Sequence, residues 1–162
     1  MAGPGLSTSG GGQSYDNPQR MSYAFGIHDF GAGGEAWAIP VPAGKQGCII
    51  EEIAIHCIGE TFNSDTTSAA VQLGIAGTLD KFAELGAENL ADTDAIGIAT
   101  GKDITASPGT ADVLRDNSYG GKGVVLTSSA GDNITQIEVT FVAPTGGTPA
   151  GKGSVTIVLG WF

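Results

Sequence analysis

The sequence predicts an all-β protein: a two-sheet sandwich of short strands carrying an extended N-terminal arm. Three observations point there. Apolar and polar residues alternate with a period of two through most of the long apolar segments, as in half-buried strands. Glycine fills 27 of the 162 positions, more than twice its ordinary share of about 7%. These glycines are scattered between apolar runs without a three-residue period, which excludes collagen and indicates many tight turns. The length suits one domain with its own core and is short for two.

Residues 1–20 form the first unit. They are crowded with Gly, Ser and Pro and hold almost nothing apolar to bury, so alone they are a flexible or extended arm. Two readings of the arm stay open: a tail without function, or a segment that orders on a partner. Tyr15, Arg20, Met21 and Tyr23, clustered where arm meets body, are its candidate partner-binding residues.

The body, 21–162, reads as strands. Residues 21–30 lead through the glycine turn 31–34 into 35–41, which Pro40 and Pro42 confine to a sheet edge. Residues 46–59 form the clearest central strand. If that strand is regular, Ile49, Ile53, Ile55 and Cys57 share one face, and Cys48, Ile50, Glu52, Ala54 and His56 the other. Further strands are expected at 69–76, 123–128, 134–143 and 154–162, with a weaker one at 95–99. The strands 134–143 and 154–162 are expected to pair with each other, antiparallel, across a long loop. One short helix is expected within 78–91, where Thr78 can cap it, Phe82 and Leu85 are three apart, and Gly86 can end it. The rest of 87–119 is an acidic excursion. Seven or eight strands favour a sandwich, and the jelly roll is the commonest eight-stranded form.

Charge narrows the function. Seven basic against 17 acidic residues leave a net −10, which repels phosphate backbones and anionic lipid, so neither nucleic acid nor membrane is an expected partner. No apolar run reaches the ~20 residues of a membrane span, and the first twenty residues do not look like a secretory signal. Cys48 and Cys57, nine positions apart on one strand, would lie roughly 30 Å from each other at ~3.3 Å per residue. They are expected to be reduced and packed.

Chemical motifs fail on context. Gly31-Ala-Gly-Gly-Glu-Ala36 matches a dinucleotide fingerprint, but Trp37-Ala-Ile-Pro-Val-Pro42 cannot be the helix that must follow. The loop ending Gly151-Lys152 lacks the Ser or Thr of a phosphate-binding loop, since Gly153 stands there. His28, His56, Cys48 and Cys57 have no chelating spacing, and Asp92-Thr-Asp94 lacks the remainder of a calcium loop. Glu51 and Glu52, being adjacent on a strand, point to opposite faces. Asn133-Ile-Thr135 is a sequon without an expected secretory route. Neither enzyme activity nor a cofactor or metal is expected.

The body opening Met21-Ser-Tyr-Ala-Phe25, the segment Ile53-Ala-Ile-His-Cys-Ile-Gly-Glu-Thr-Phe62, Ala70-Val-Gln-Leu-Gly-Ile75 and the ending from Val139 to Phe162 together resemble the capsid cement or decoration proteins of tailed bacteriophages. The likeness spans 21–162 in style and is best over the last 25 residues. It implies a jelly-roll or sandwich homotrimer on the outer capsid surface of a virion, assembled in the host cytoplasm, with the major capsid protein as partner. Trp161 and Phe162, large apolar groups on opposite faces at the chain end, are the expected oligomer interface. The alternative is a carbohydrate- or receptor-binding β-sandwich of a head or tail fibre, for which Trp37, Tyr119 and Trp161 are the candidate aromatics.

Overall fold

A computed structural model describes residues 19–45, 47–64, 66–87, 90–99, 124–125 and 134–162. Residues 1–18 of the arm with Tyr15, the acidic stretch beyond residue 99 with Tyr119, and the sequon at Asn133 lie outside them. The described elements are all strands: β1 (Gln19–Asp29), β2 (Glu35–Pro40), β3 (Gly47–Asn63), β4 (Ala70–Ile75), β5 (Thr78–Gly86), β6 (Ala95–Ala99), β7 (Val124–Val125), β8 (Gln136–Val142) and β9 (Ala150–Trp161).

They form two antiparallel sheets, a β-sandwich. One runs β1-β9-β3-β6, with β7 also paired to β3; the other runs β2-β8-β4-β5. The chain passes from one sheet to the other after β1, β2, β3, β5, β7 and β8, so each sheet is assembled from distant parts of the sequence. Ile53, Ile55, Val155, Ile157 and Leu159 from one sheet meet Val71, Leu73, Leu85, Ile137, Val139 and Phe141 from the other, all at 1% exposure or less. Burying each such side chain stabilises by roughly 1.5–3 kcal/mol. As the prolines require, β2 is an edge strand.

Three expectations are corrected. Residues 78–91 do not form a helix. After the two-residue turn Ala76-Gly77, with Gly77 at φ 85°, β5 folds back on β4, pairing Thr78 with Ile75 and Leu85 with Val71. Thr78 therefore opens a strand instead of capping a helix. The register shift between Leu73 and Ile75 accompanies a break in the alternation, since Phe82 and Ala83 are both buried, and this blurs the period of two.

The last two long strands also do not pair. β8 pairs with β2 and β4, while β9 lies between β1 and β3; the loop of 143–149 carries the chain from one sheet to the other. Alternation marks a strand but does not name its neighbour.

The third correction concerns the faces of β3. Ile50 lies opposite Leu159 and Glu52 opposite Val158, which leaves Glu51 as an inserted residue in a β-bulge. The bulge reverses the phase. Cys48 and Ile50 before it, and Ile53, Ile55 and Cys57 after it, are all buried. Both cysteines are thus free and buried. Burial pushes the Cys48 thiol up to about 12. Burial and the nearby Asp92 carboxylate also raise Cys57, whose thiol donates to the Glu60 carbonyl oxygen.

Two outcomes follow. Burial keeps the Cys48 thiol protonated at pH 8, so a thiol reagent should leave both cysteines unlabelled until denaturant is added. Rapid labelling of native protein would contradict their placement. Second, a side chain at Gly74 would collide with the backbone of Thr78 and Leu79, a contact created by the β4–β5 hairpin. Gly74→Ala should cost about 2 kcal/mol of unfolding free energy in urea; a loss below about 0.5 kcal/mol would leave the hairpin unsupported.

Candidate partner-binding edge

β1 is the outermost strand of its sheet and carries the chain out of the arm. Its one side is paired to β9 from Gln19 opposite Trp161 to Asp29 opposite Lys152, with a bulge at Gly26-Ile27. Its other side has no strand neighbour among the described residues. Alternation along β1 sets two rows. Met21, Tyr23 and Phe25 are half-buried against the core, and Ser22 and Ala24 are exposed.

The expected cluster is partly brought together. Arg20 lies opposite Gly160 on β9, and Ile49 of β3 lies on the other side of that glycine. With no side chain at Gly160 in the way, the Arg20 Nε–H donates to Glu51 Oε2 of the β3 bulge at 2.6 Å. The Arg20 side chain is 66% exposed, so this ion pair contributes at most about 1 kcal/mol. Tyr23 accepts from the Trp161 indole N–H at 2.9 Å and donates to the Met21 sulfur. Burial raises its hydroxyl above the ordinary value, against the lowering effect of the Trp161 bond. Met21 and Tyr23 thus tie β1 to the core while keeping one flank at the open edge. Tyr15 is outside the described residues.

Trp161 and Phe162 are corrected. Their exposures are 0% and 5% within the single chain. Trp161 fills the core beneath Tyr23, and Phe162 is fixed by reciprocal backbone hydrogen bonds with Gly47. They offer no apolar surface to a second copy. Trp161 is for the same reason not an aromatic platform for a glycan.

Sequence reasoning gave too little weight to the far end of the edge. Phe25 packs on Trp37 of β2 at 5.6 Å between ring centroids, and edge-on to Phe141 at 5.4 Å. This contact closes the sandwich between the outer strands of the two sheets, yet leaves Trp37 44% exposed, while the bulge residue Ile27 is 64% exposed. Beside them, His28 places Nδ1 3.1 Å from Glu35 Oε2 and Nε2 3.0 Å from the Gly33 carbonyl oxygen. The signal was available in the odd-numbered apolar row 21, 23, 25.

Asp29 ends the strand. Partial desolvation pushes its carboxyl up, but hydrogen bonds from Lys152 and the Ala32 N–H, with the lysine charge, bring it below the ordinary 3.8. The same carboxylate raises Lys152.

No group of three or more His, Cys, Asp or Glu side chains among the described residues is arranged to hold a metal ion. What the edge offers is backbone with no strand neighbour among the described residues, a neutral apolar row and an exposed indole: the means of binding a strand or a surface. No protein-family model matches the sequence, and a search of curated proteins returns no match.

The Asp29 contacts predict an acid dependence. Because the folded carboxyl titrates below 3.8, its stabilisation is present above that pH and lost as pH falls through the lower folded value. Asp29→Asn should lower Tm at pH 7, and by progressively less as the pH falls below 3.8; a drop that does not shrink with acidification would assign the effect to something other than charge.

Proposed function

We propose that the protein is a non-enzymatic structural component of a phage virion, a cement or decoration protein that binds the outside of the capsid and bridges neighbouring major capsid protein subunits. The observation that carries this reading is how the arm enters the body. Residue 19 begins a strand of 11 residues bonded along its length to β9, which is itself flanked by β3. Tension on the arm is therefore passed into the middle of a sheet. Ordering an arm on a partner covers extended surface at an entropic cost, and attachment through several arms offsets that cost by effective concentration.

The body fits the role. Setting β7 aside, the strands order as 1-9-3-6 and 2-8-4-5, an order that supports reading the sandwich as an eight-stranded jelly roll, an architecture used by viral coat and lectin domains. The net −10 charge keeps such a protein off the packaged nucleic acid and on the outer surface of the particle.

A second reading has one observation in its favour. Trp37, exposed and backed by Phe25, could stack on a sugar ring, as a glycan-binding sandwich of a fibre requires. Quenching of tryptophan fluorescence by glycans, abolished in Trp37→Ala, would favour it.

Removing residues 1–18 should leave the circular dichroism of the body intact and weaken binding to particles assembled from the cognate major capsid protein at least tenfold, about 1.4 kcal/mol. Undiminished binding would make the arm a passive tail.

A further inference from the structure

We propose that β1 is a self-pairing edge: two copies of the chain join antiparallel along residues 20–26, about a two-fold axis at Tyr23, and so fuse their β1 sheets into one.

The edges of the two sheets differ in how they are guarded. A free strand edge invites pairing with another chain, and proteins block it with short strands, proline or charge. β2 has six residues and contains Pro40; β6 has five. β5 carries Asp80, Lys81 and Glu84 within its nine residues. β1 has 11 residues, no proline and no lysine. From 19 to 28 it holds no carboxylate, in a chain of net charge −10. Its sole interruption is the bulge after Phe25, which would end a pairing of about seven residues.

The alternation of β1 selects a second copy as the occupant. Whatever pairs here must present apolar side chains on the core side and small or polar ones on the outer side, in phase. Antiparallel pairing about Tyr23 does this with β1 itself. Met21 comes opposite Phe25 of the second copy, a favourable sulfur–aromatic pair, and Tyr23 opposite its own equivalent. The half-buried row Met21, Tyr23, Phe25 is then covered along its open flank, and the exposed Trp37 beside Phe25 lies near the second copy's Met21. On the outer side Ser22 meets Ala24, and Arg20 meets Gly26, where no side chain crowds it. The two Arg20 residues fall six positions apart, roughly 20 Å at 3.4 Å per residue, so they do not repel. A two-fold contact of one patch with itself is the commonest form of self-association.

The pairing does not depend on what the arm binds, so capsid attachment can fail or succeed independently of it. Sedimentation velocity of the full chain should show a monomer–dimer equilibrium. Ser22→Lys combined with Ala24→Lys, at exposed positions, places like charges face to face twice. It should raise the dimer dissociation constant at least tenfold while leaving unchanged the Tm measured at dilution, where the chain is monomeric. Register is tested by mixing Ser22→Cys with Ala24→Cys under mild oxidation: the mixture should cross-link and each variant alone should do so far less. The buried native cysteines stay out of the reaction. A monomer at all concentrations to about 0.1 mM, a trimer, a dimer indifferent to the two lysines, or cross-linking of either variant alone as strong as that of the mixture would each overturn the proposal.

Discussion

The sheet that receives the first described strand is registered against β9. Strand neighbours on both sides, β1 and β3, take their alignment from it. One face carries Val155, Ile157, Leu159 and Trp161 into the core at 0% exposure. Two glycines let its neighbours come close or reach across. Gly151, at φ 145°, sits under the ring of Phe62, where a side chain would clash. Gly160 clears the path from Arg20 to Glu51. A substitution at either would act on strands that are far away in sequence.

This has a consequence for assembly and for function. The first described strand and the last are hydrogen-bonded partners, Gln19 with Trp161, so the sheet closes only when β9 is in place. Such non-local pairing makes for slow folding, but it places the start of the body beside its C-terminal strand. Residue 19 thereby opens a strand bonded to β9, most of whose residues are buried. β1 is itself an edge strand, paired on one side to β9, which lies between β1 and β3, and tied to it by the Tyr23–Trp161 hydrogen bond.

How far the sequence disclosed this depended on the kind of information needed. Strand positions were legible wherever alternation was clean: β1, β4, β8 and β9 stand close to their expected places, and prolines announced β2 as an edge. Partners were not legible. β8 and β9 alternate equally well and follow each other, yet each belongs to a different sheet, because alternation records a face and not a neighbour. Single inserted residues did the rest of the damage. Glu51 reverses the phase of β3 and turns both cysteines inward. The irregularity that leaves Phe82 and Ala83 both buried let a strand pass for a helix between Thr78 and Gly86. Along β1, Met21 and Tyr23 share the core-side row while Arg20 is exposed and reaches Glu51, so nearness in sequence did not place the three side chains together. The closure of the sandwich by Phe25 and Trp37 was not legible, since it joins strands of opposite sheets. Trp161 and Phe162 were misjudged because the cover they needed was sought in another copy and lies within this one.

Native-state hydrogen exchange on the full chain tests the anchoring of β1 most directly. If β1 is locked to β9, its amides bonded to β9 should open only with the whole molecule, with the same free energy as the β9 amides and the same dependence on denaturant. If those β1 amides exchange through a local opening several kcal/mol below the global value, the strand detaches on its own and is not locked to β9.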